Sequence, residues 1–115
     1  MTVQTFYEVY DLTSMDVISI RNVKEGLSMV IDMDLTMHFD GGNHVRTEFD
    51  MTFCHEFLFM GCRADQDYLS DVRVTSQKYE DGVLILMVNG DLIRIPETEI
   101  LIHRNYRPYV DHSIQ

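Results

Sequence analysis

The chain is poor in cations, proline and cysteine, and each shortage narrows what it can be. Nine Lys and Arg stand against nineteen Asp and Glu, for a formal charge of −10 over 115 residues. Such a charge repels phosphate backbones and anionic lipid, so nucleic acid and membrane are disfavoured as partners. It favours a basic protein partner, a cation or simple solubility. With two Pro, six Gly and no low-complexity run, disorder is expected only at the ends. No stretch approaches the roughly 18 apolar residues of a membrane helix. The opening "MTVQTFYEVYDL" lacks the basic then apolar pattern of a signal peptide. A cytoplasmic protein is therefore expected.

The two cysteines, Cys54 and Cys62, bracket "CHEFLFMGC". Extended, that stretch spans about 26 Å, far beyond the roughly 7 Å a disulfide bridges. Two free thiols in a reducing compartment are expected. Their spacing is wrong for structural zinc, which favours close ligand pairs. His38 and His44 flank one loop tip, and two His alone make no site. Cys54 and His55 are neighbours in an extended chain, point to opposite faces and cannot form a nucleophile–base pair. There is no Gly-rich phosphate loop, nucleophile elbow or His-x-x-x-His pattern. These readings give no catalytic residue, metal or cofactor, and a protein that is not an enzyme.

What the chain does have is alternation. Apolar residues make up 45%, enough for one β domain over 1–115. Period-2 patterning marks strands at 5–10, 15–23, 27–39, 44–53, 57–62, 72–79, 83–89, 91–95 and 98–104. Turns fall at "KEG" 24–26, "DGGN" 40–43, "EDG" 80–82 and "NG" 89–90. The polar run 63–71 reads as a loop, and 105–115 as a loosely ordered tail. No segment carries helical spacing over ten residues. The fold expected is all-β: an antiparallel meander of about eight strands closing as a sandwich or flattened barrel. The strand 83–89, apolar on both sides, belongs at its packed centre. A hairpin as long as 27–53 often passes from one sheet to the other.

The segment "GLSMVIDMDLTMHF" is the most informative. Odd positions from Leu27 to Phe39 are all apolar, including Met29, Met33 and Met37. Even positions are mostly polar. The strand after it alternates likewise, with Val45, Thr47, Phe49, Met51 and Phe53 on its odd face. The two should zip as a hairpin with odd opposite odd, since a one-residue slip turns the core face outward. A three-residue loop Gly41–Asn43 sets Leu35 opposite Phe49 and Met33 opposite Met51. On the wet face it sets Asp34 opposite Asp50, Thr36 opposite Glu48 and Asp32 opposite Thr52. Opposed like charges on a sheet cost about 0.2–1 kcal/mol, and local conflicts tend to mark function. Asp32, Asp34, Glu48 and Asp50 are thus the candidate partner-binding residues, as a docking surface for a basic partner. The plainer reading is a solvated face whose charges block edge-to-edge aggregation. A Ca²⁺ site would need more oxygens than two strands on a flat face supply.

Two other features invite function. The methionines and phenylalanines of the odd face pack a core, or else line an apolar cavity for a small molecule. Tyr106, Arg107 and Tyr109 near the end are favoured interface types. A structural homo-oligomer pairing through an exposed edge is the remaining alternative.

The stretch "YDLTSMDVISIRNVKEGLSMVID" at 10–32 resembles the opening of bacterial families of small, acidic, all-β domains. They share an acidic lead, a strand like "VISI", a turn and a strand like "LSMVID". Leu12, Thr13 and Ser14 stand where those families carry a His. Some of them are grouped with the immunity proteins that neutralise polymorphic toxins. The resemblance implies an acidic, non-catalytic protein that binds one partner, and it carries over no functional residue.

Overall fold

The computed structural model describes the backbone of residues 1–40 and 46–108, and the side chains of residues 1–32 and 54–104. The expected turn at 40–43 beyond Asp40, and the tail from residue 109, lie outside those residues.

The chain opens with a helix, α1 (Val3–Val9), where the alternation of "TFYEVY" reads as a strand. Val3, Phe6, Tyr7 and Tyr10 follow the spacing i, i+3, i+4, i+7 of one helical face. In so short a window the two periods overlap, and the ends decide. Thr2 caps the helix: its hydroxyl accepts from the Thr5 N–H at 3.1 Å. Glu97 accepts from the Val3 N–H at 2.6 Å and the Gln4 N–H at 3.3 Å. Phe6 then buries its ring edge-on against Phe57 and Phe59. A 3-10 turn follows at Leu12–Ser14.

Seven strands follow: β1 (Asp16–Val23), β2 (Gly26–Asp40), β3 (Arg46–Met60), β4 (Val74–Glu80), β5 (Val83–Val88), β6 (Asp91–Pro96) and β7 (Ile100–Pro108). They form two antiparallel sheets, in the orders β1-β2-β3-β7 and β4-β5-β6. The all-β, sandwich-like expectation holds, with seven strands for about eight and no closed barrel. The strands expected at 44–53 and 57–62 are one, because β3 runs unbroken through "CHE". The long hairpin stays within one sheet.

The core lies between the sheets. Leu27, Met29 and Ile31 from β2 and Phe57 and Phe59 from β3 meet Leu84, Leu86, Val88, Ile93 and Ile95 of the second sheet. β5 is the middle strand of that sheet, as its apolar sequence requires. The turns behave as their residues demand: Asp81-Gly82 and Asn89-Gly90 both take positive φ in succession, the I′ geometry of tight hairpins. Gly26 opens β2 where a Cβ would collide with the Phe59 carbonyl oxygen. Only glycine lets β2 and β3 approach so closely there.

Glu97 ties α1 to the second sheet, since the Tyr79 hydroxyl donates to it at 2.6 Å. That bond, with lesser help from the Val3 and Gln4 N–H groups, holds its pKa below the ordinary 4.5. A depressed carboxylate stabilises the fold above its unfolded pKa and ceases to do so as pH falls through the folded value. Glu97→Gln should therefore be less stable than the parent at pH 7, by a modest amount because the group is exposed. The gap should close as pH drops below 4.5, which denaturant melts at pH 7 and pH 3 would measure.

Candidate functional site

The four-stranded sheet has two unlike faces. Its inner face, formed by the odd residues of β2 and β3, meets α1 and the second sheet. Among the described residues, no helix or strand covers its outer face. The odd-inward expectation holds for Leu27, Met29 and Ile31, all fully buried.

The register differs from expectation. β2 and β3 pair Leu35 with Met51 and Met33 with Phe53, a shift of two residues along β3. Parity permits this, because an even slip keeps every side chain on its face. What fixes it lies at the far end, where Gly26 faces Met60, Leu27 faces Phe59 and Met29 faces Phe57. The last pair described is Asp40 with Arg46. The opposition of Asp34 to Asp50 disappears: Asp34 faces Thr52, Thr36 faces Asp50 and His38 faces Glu48. The acids alternate with neutral residues or histidine across the ladder, so the like-charge conflict is relieved there. The side chains of Asp34, Glu48 and Asp50 lie outside the described residues, as do Met33, Met37, Met51 and Tyr106, Arg107 and Tyr109.

Asp32 is half-buried on β2. It faces Cys54 on β3 and, on its other side, Asp16 of β1. Asp16 is the acid that sequence reasoning missed. Its place depends on a β-bulge between Val17 and Ser19. Ser19 faces Val30 and Ile20 faces Met29, but after the bulge Val17 faces Ile31. Continuing the first register would have set Val17 opposite Asp32 and Asp16 opposite Met33. The extra residue, Ile18, is 42% exposed. It lets Val17 enter the core and turns Asp16 outward beside Asp32. The paired acids expected on β2–β3 thus occur instead on β1–β2. The signal available was weak: "MDVISI" alternates in one phase up to Val17 and in the other from Ile18.

Away from these acids the outer face mixes apolar and charged residues. One row runs Arg21, Ser28, Leu58, Leu101 across β1, β2, β3 and β7. Ser28, expected on the wet face, is 1% exposed. It is a small side chain set between Arg21 and Leu58, and its hydroxyl has no hydrogen-bond partner. The next row runs Val30, Glu56, His103. Leu101 is 39% exposed.

On the inner face His55 lies between Ile31 and Arg104. Burial, and then repulsion by Arg104, lower its pKa from 6.5, so it is neutral at pH 7. Cys54 and Cys62 are free, as expected, and burial pushes the Cys62 thiol up, away from reactivity. Met29, Phe57 and Phe59 are wholly buried in the core. Surface clefts of about 390 and 340 Å³ lie elsewhere, the first between Arg63–Tyr68 and Asp91–Arg94, the second between Leu12–Asp16 and Asp71–Val74. Neither is lined by phenylalanine. No group of acids, His and Cys fit for a metal occurs among the described residues, and no helix there is long and apolar enough to cross a membrane.

Compared with known proteins, the chain matches no family model, no curated sequence and no solved structure.

The buried Ser28 hydroxyl yields a direct test. An unpartnered buried hydroxyl costs about 1–3 kcal/mol, and alanine removes it without leaving a large void. Ser28→Ala should raise the free energy of unfolding by about 1 kcal/mol, read as a higher denaturation midpoint at unchanged slope. A drop of similar size would mean that the hydroxyl is bonded after all.

Proposed function

We propose that the protein is a non-catalytic binding module that docks a basic protein partner on the outer face of its four-stranded sheet. The observation that carries this reading is the bulge at Ile18, which places Asp16 beside Asp32 on an uncovered face. Asp34, Glu48 and Asp50 occupy even positions of the same two central strands, so the acids extend along the ribbon. Like charges gathered on one face cost stability and raise the local negative potential. That combination suits steering and orienting a cationic partner. Half-buried Val30 lies in the row next to Asp32, and the half-exposed Leu101 lies one row further, beyond Glu56 and His103. An apolar centre beside a charged rim is the usual anatomy of a protein interface. This is the mode of action implied by the immunity proteins that residues 10–32 resemble. A lone cation is the weaker reading, because one face of a sheet offers too few converging oxygens.

The test must separate this face from the general acidity of the chain. Two triple variants carry the same change in charge: Asp16→Asn/Asp34→Asn/Asp50→Asn on the face, and Glu8→Gln/Asp65→Asn/Asp81→Asn away from it. Each is titrated with a ten-residue lysine peptide at physiological ionic strength. The first should bind at least tenfold more weakly than the parent, the second within twofold of it. Equal weakening of both would reduce the binding to net charge and remove the site.

A further inference from the structure

The two sheets have four edges, and they are finished differently. β1 is sealed. Ile20 exchanges both backbone hydrogen bonds with Tyr68, at 2.8 and 2.6 Å. The Asn22 N–H donates to the Asp67 carboxylate at 2.8 Å, and its side-chain amide bonds both the N–H and the C=O of Ala64. β4 is covered by the Leu12–Ser14 turn, with the Gln77 amide accepting from the Leu12 N–H and donating to the Tyr10 carbonyl. β6 looks across the 390 Å³ cleft at residues 63–68 and ends at Pro96.

β7 is the exception. Its first residue is held from outside: the Ile100 N–H donates to the Met1 carbonyl at 2.8 Å, and the Met1 amine donates to the Ile100 carbonyl at 3.2 Å. Glu99 instead bonds toward β3, accepting from the Met60 N–H at 3.1 Å. In an antiparallel ladder these directions alternate. The N–H and C=O groups of Ile102, Arg104 and Tyr106 therefore point away from β3. Among the described residues no strand pairs with them, since β7 is last in its sheet. Pro108, which has no N–H, closes the row.

The charge of this edge is opposite to that of the molecule. Residues 100–110 contain no Asp or Glu, the longest such stretch in the chain, and hold Arg104, Arg107 and His103. Arg104 and His103 are exposed. Cations and a proline on an edge oppose self-pairing. A two-fold pairing of β7 centred on residue 103, 104 or 105 sets His103 against His103, Arg104 against Arg104, or His103 against Arg107. The same cations attract an acidic strand.

We propose that the free edge of β7 takes up one extended, acidic strand from a protein partner, adding a fifth strand to the sheet. Backbone hydrogen bonds at Ile102, Arg104 and Tyr106 supply the affinity, and carboxylates on the face of the added strand that carries Arg104 supply the choice of partner. The net charge of −10 opposes approach at long range. At about 0.15 M salt it is screened within roughly 8 Å, and the neighbouring cations dominate.

The probes are the acetylated, amidated peptide Thr-Glu-Val-Glu-Val-Glu-Thr and its counterpart with Lys for each Glu. Amide hydrogen exchange at Ile102, Arg104 and Tyr106 is followed by NMR at about 0.15 M salt. The acidic peptide should slow all three amides at least tenfold, and the lysine peptide should leave them unchanged. The exposed Arg104→Glu change should weaken the acidic peptide at least tenfold. The proposal is overturned by an absence of protection at millimolar acidic peptide or by equal protection from both peptides. It is also overturned by protection without peptide that grows with protein concentration, which would mean that β7 pairs with itself.

Discussion

Everything in this fold hangs on one ladder, the pairing of β2 with β3 from Gly26 opposite Met60 to Asp40 opposite Arg46. These are the two central strands of the larger sheet, and both edge strands attach to them. Their odd side chains supply Leu27, Met29, Ile31, Phe57 and Phe59 to the core. Because only five residues separate the two strands in sequence, closing the ladder costs little chain entropy. Parity then divides the molecule. Leu27, Met29, Ile31, Phe57 and Phe59 go to the side where α1 and the second sheet lie, and Asp16, Asp32 and Glu56 to the other.

Much of this was legible because alternation leaves little choice of face. The hydrophobic phase of 27–31, the glycine-bearing turns at 81–82 and 89–90, and the buried run of β5 are local statements, and they hold. What escaped is what alternation cannot see. A slip of two residues preserves every face, so the pattern could not tell Met33 opposite Met51 from Met33 opposite Phe53. The choice is made at the far end of the ladder, eleven to fourteen residues from the last pair, by Gly26 and by the packing of Phe57 and Phe59. A bulge reverses phase inside a strand, and only the two-phase pattern around Ile18 hints at it. At the N-terminus, four apolar residues fit two periods, and the Thr2 and Glu97 caps, one of them distant in sequence, select the helix. For the candidate site the consequence was specific: alternation put Asp32 at an outer-face position but gave no sign of Asp16 beside it, and the opposition of Asp34 to Asp50 was misplaced.

The geometry of a sheet also explains how one small domain can offer two unlike surfaces. Side chains stand perpendicular to the sheet, whereas backbone hydrogen bonds lie within it. The proposed docking on the outer face would use the first direction, and the proposed strand addition at β7 the second. A basic partner on the face and an acidic strand on the edge would touch different atoms. Residues 64–68 close the edge of β1 at Ile20 and Asn22, so within the larger sheet the proposed in-plane recognition falls to β7.

The register of the central ladder is therefore the claim to test most directly. Gly61 donates its N–H to the Glu25 carbonyl, so odd residues of β3 bond toward β2 and even ones form the close, non-hydrogen-bonded pairs. In an NMR spectrum of the intact chain, cross-strand Hα–Hα Overhauser contacts should join Val30 to Glu56, Asp32 to Cys54 and Asp34 to Thr52. Contacts joining Asp32 to Thr52 and Asp34 to Asp50 instead would place the strands two residues out of step and contradict the account.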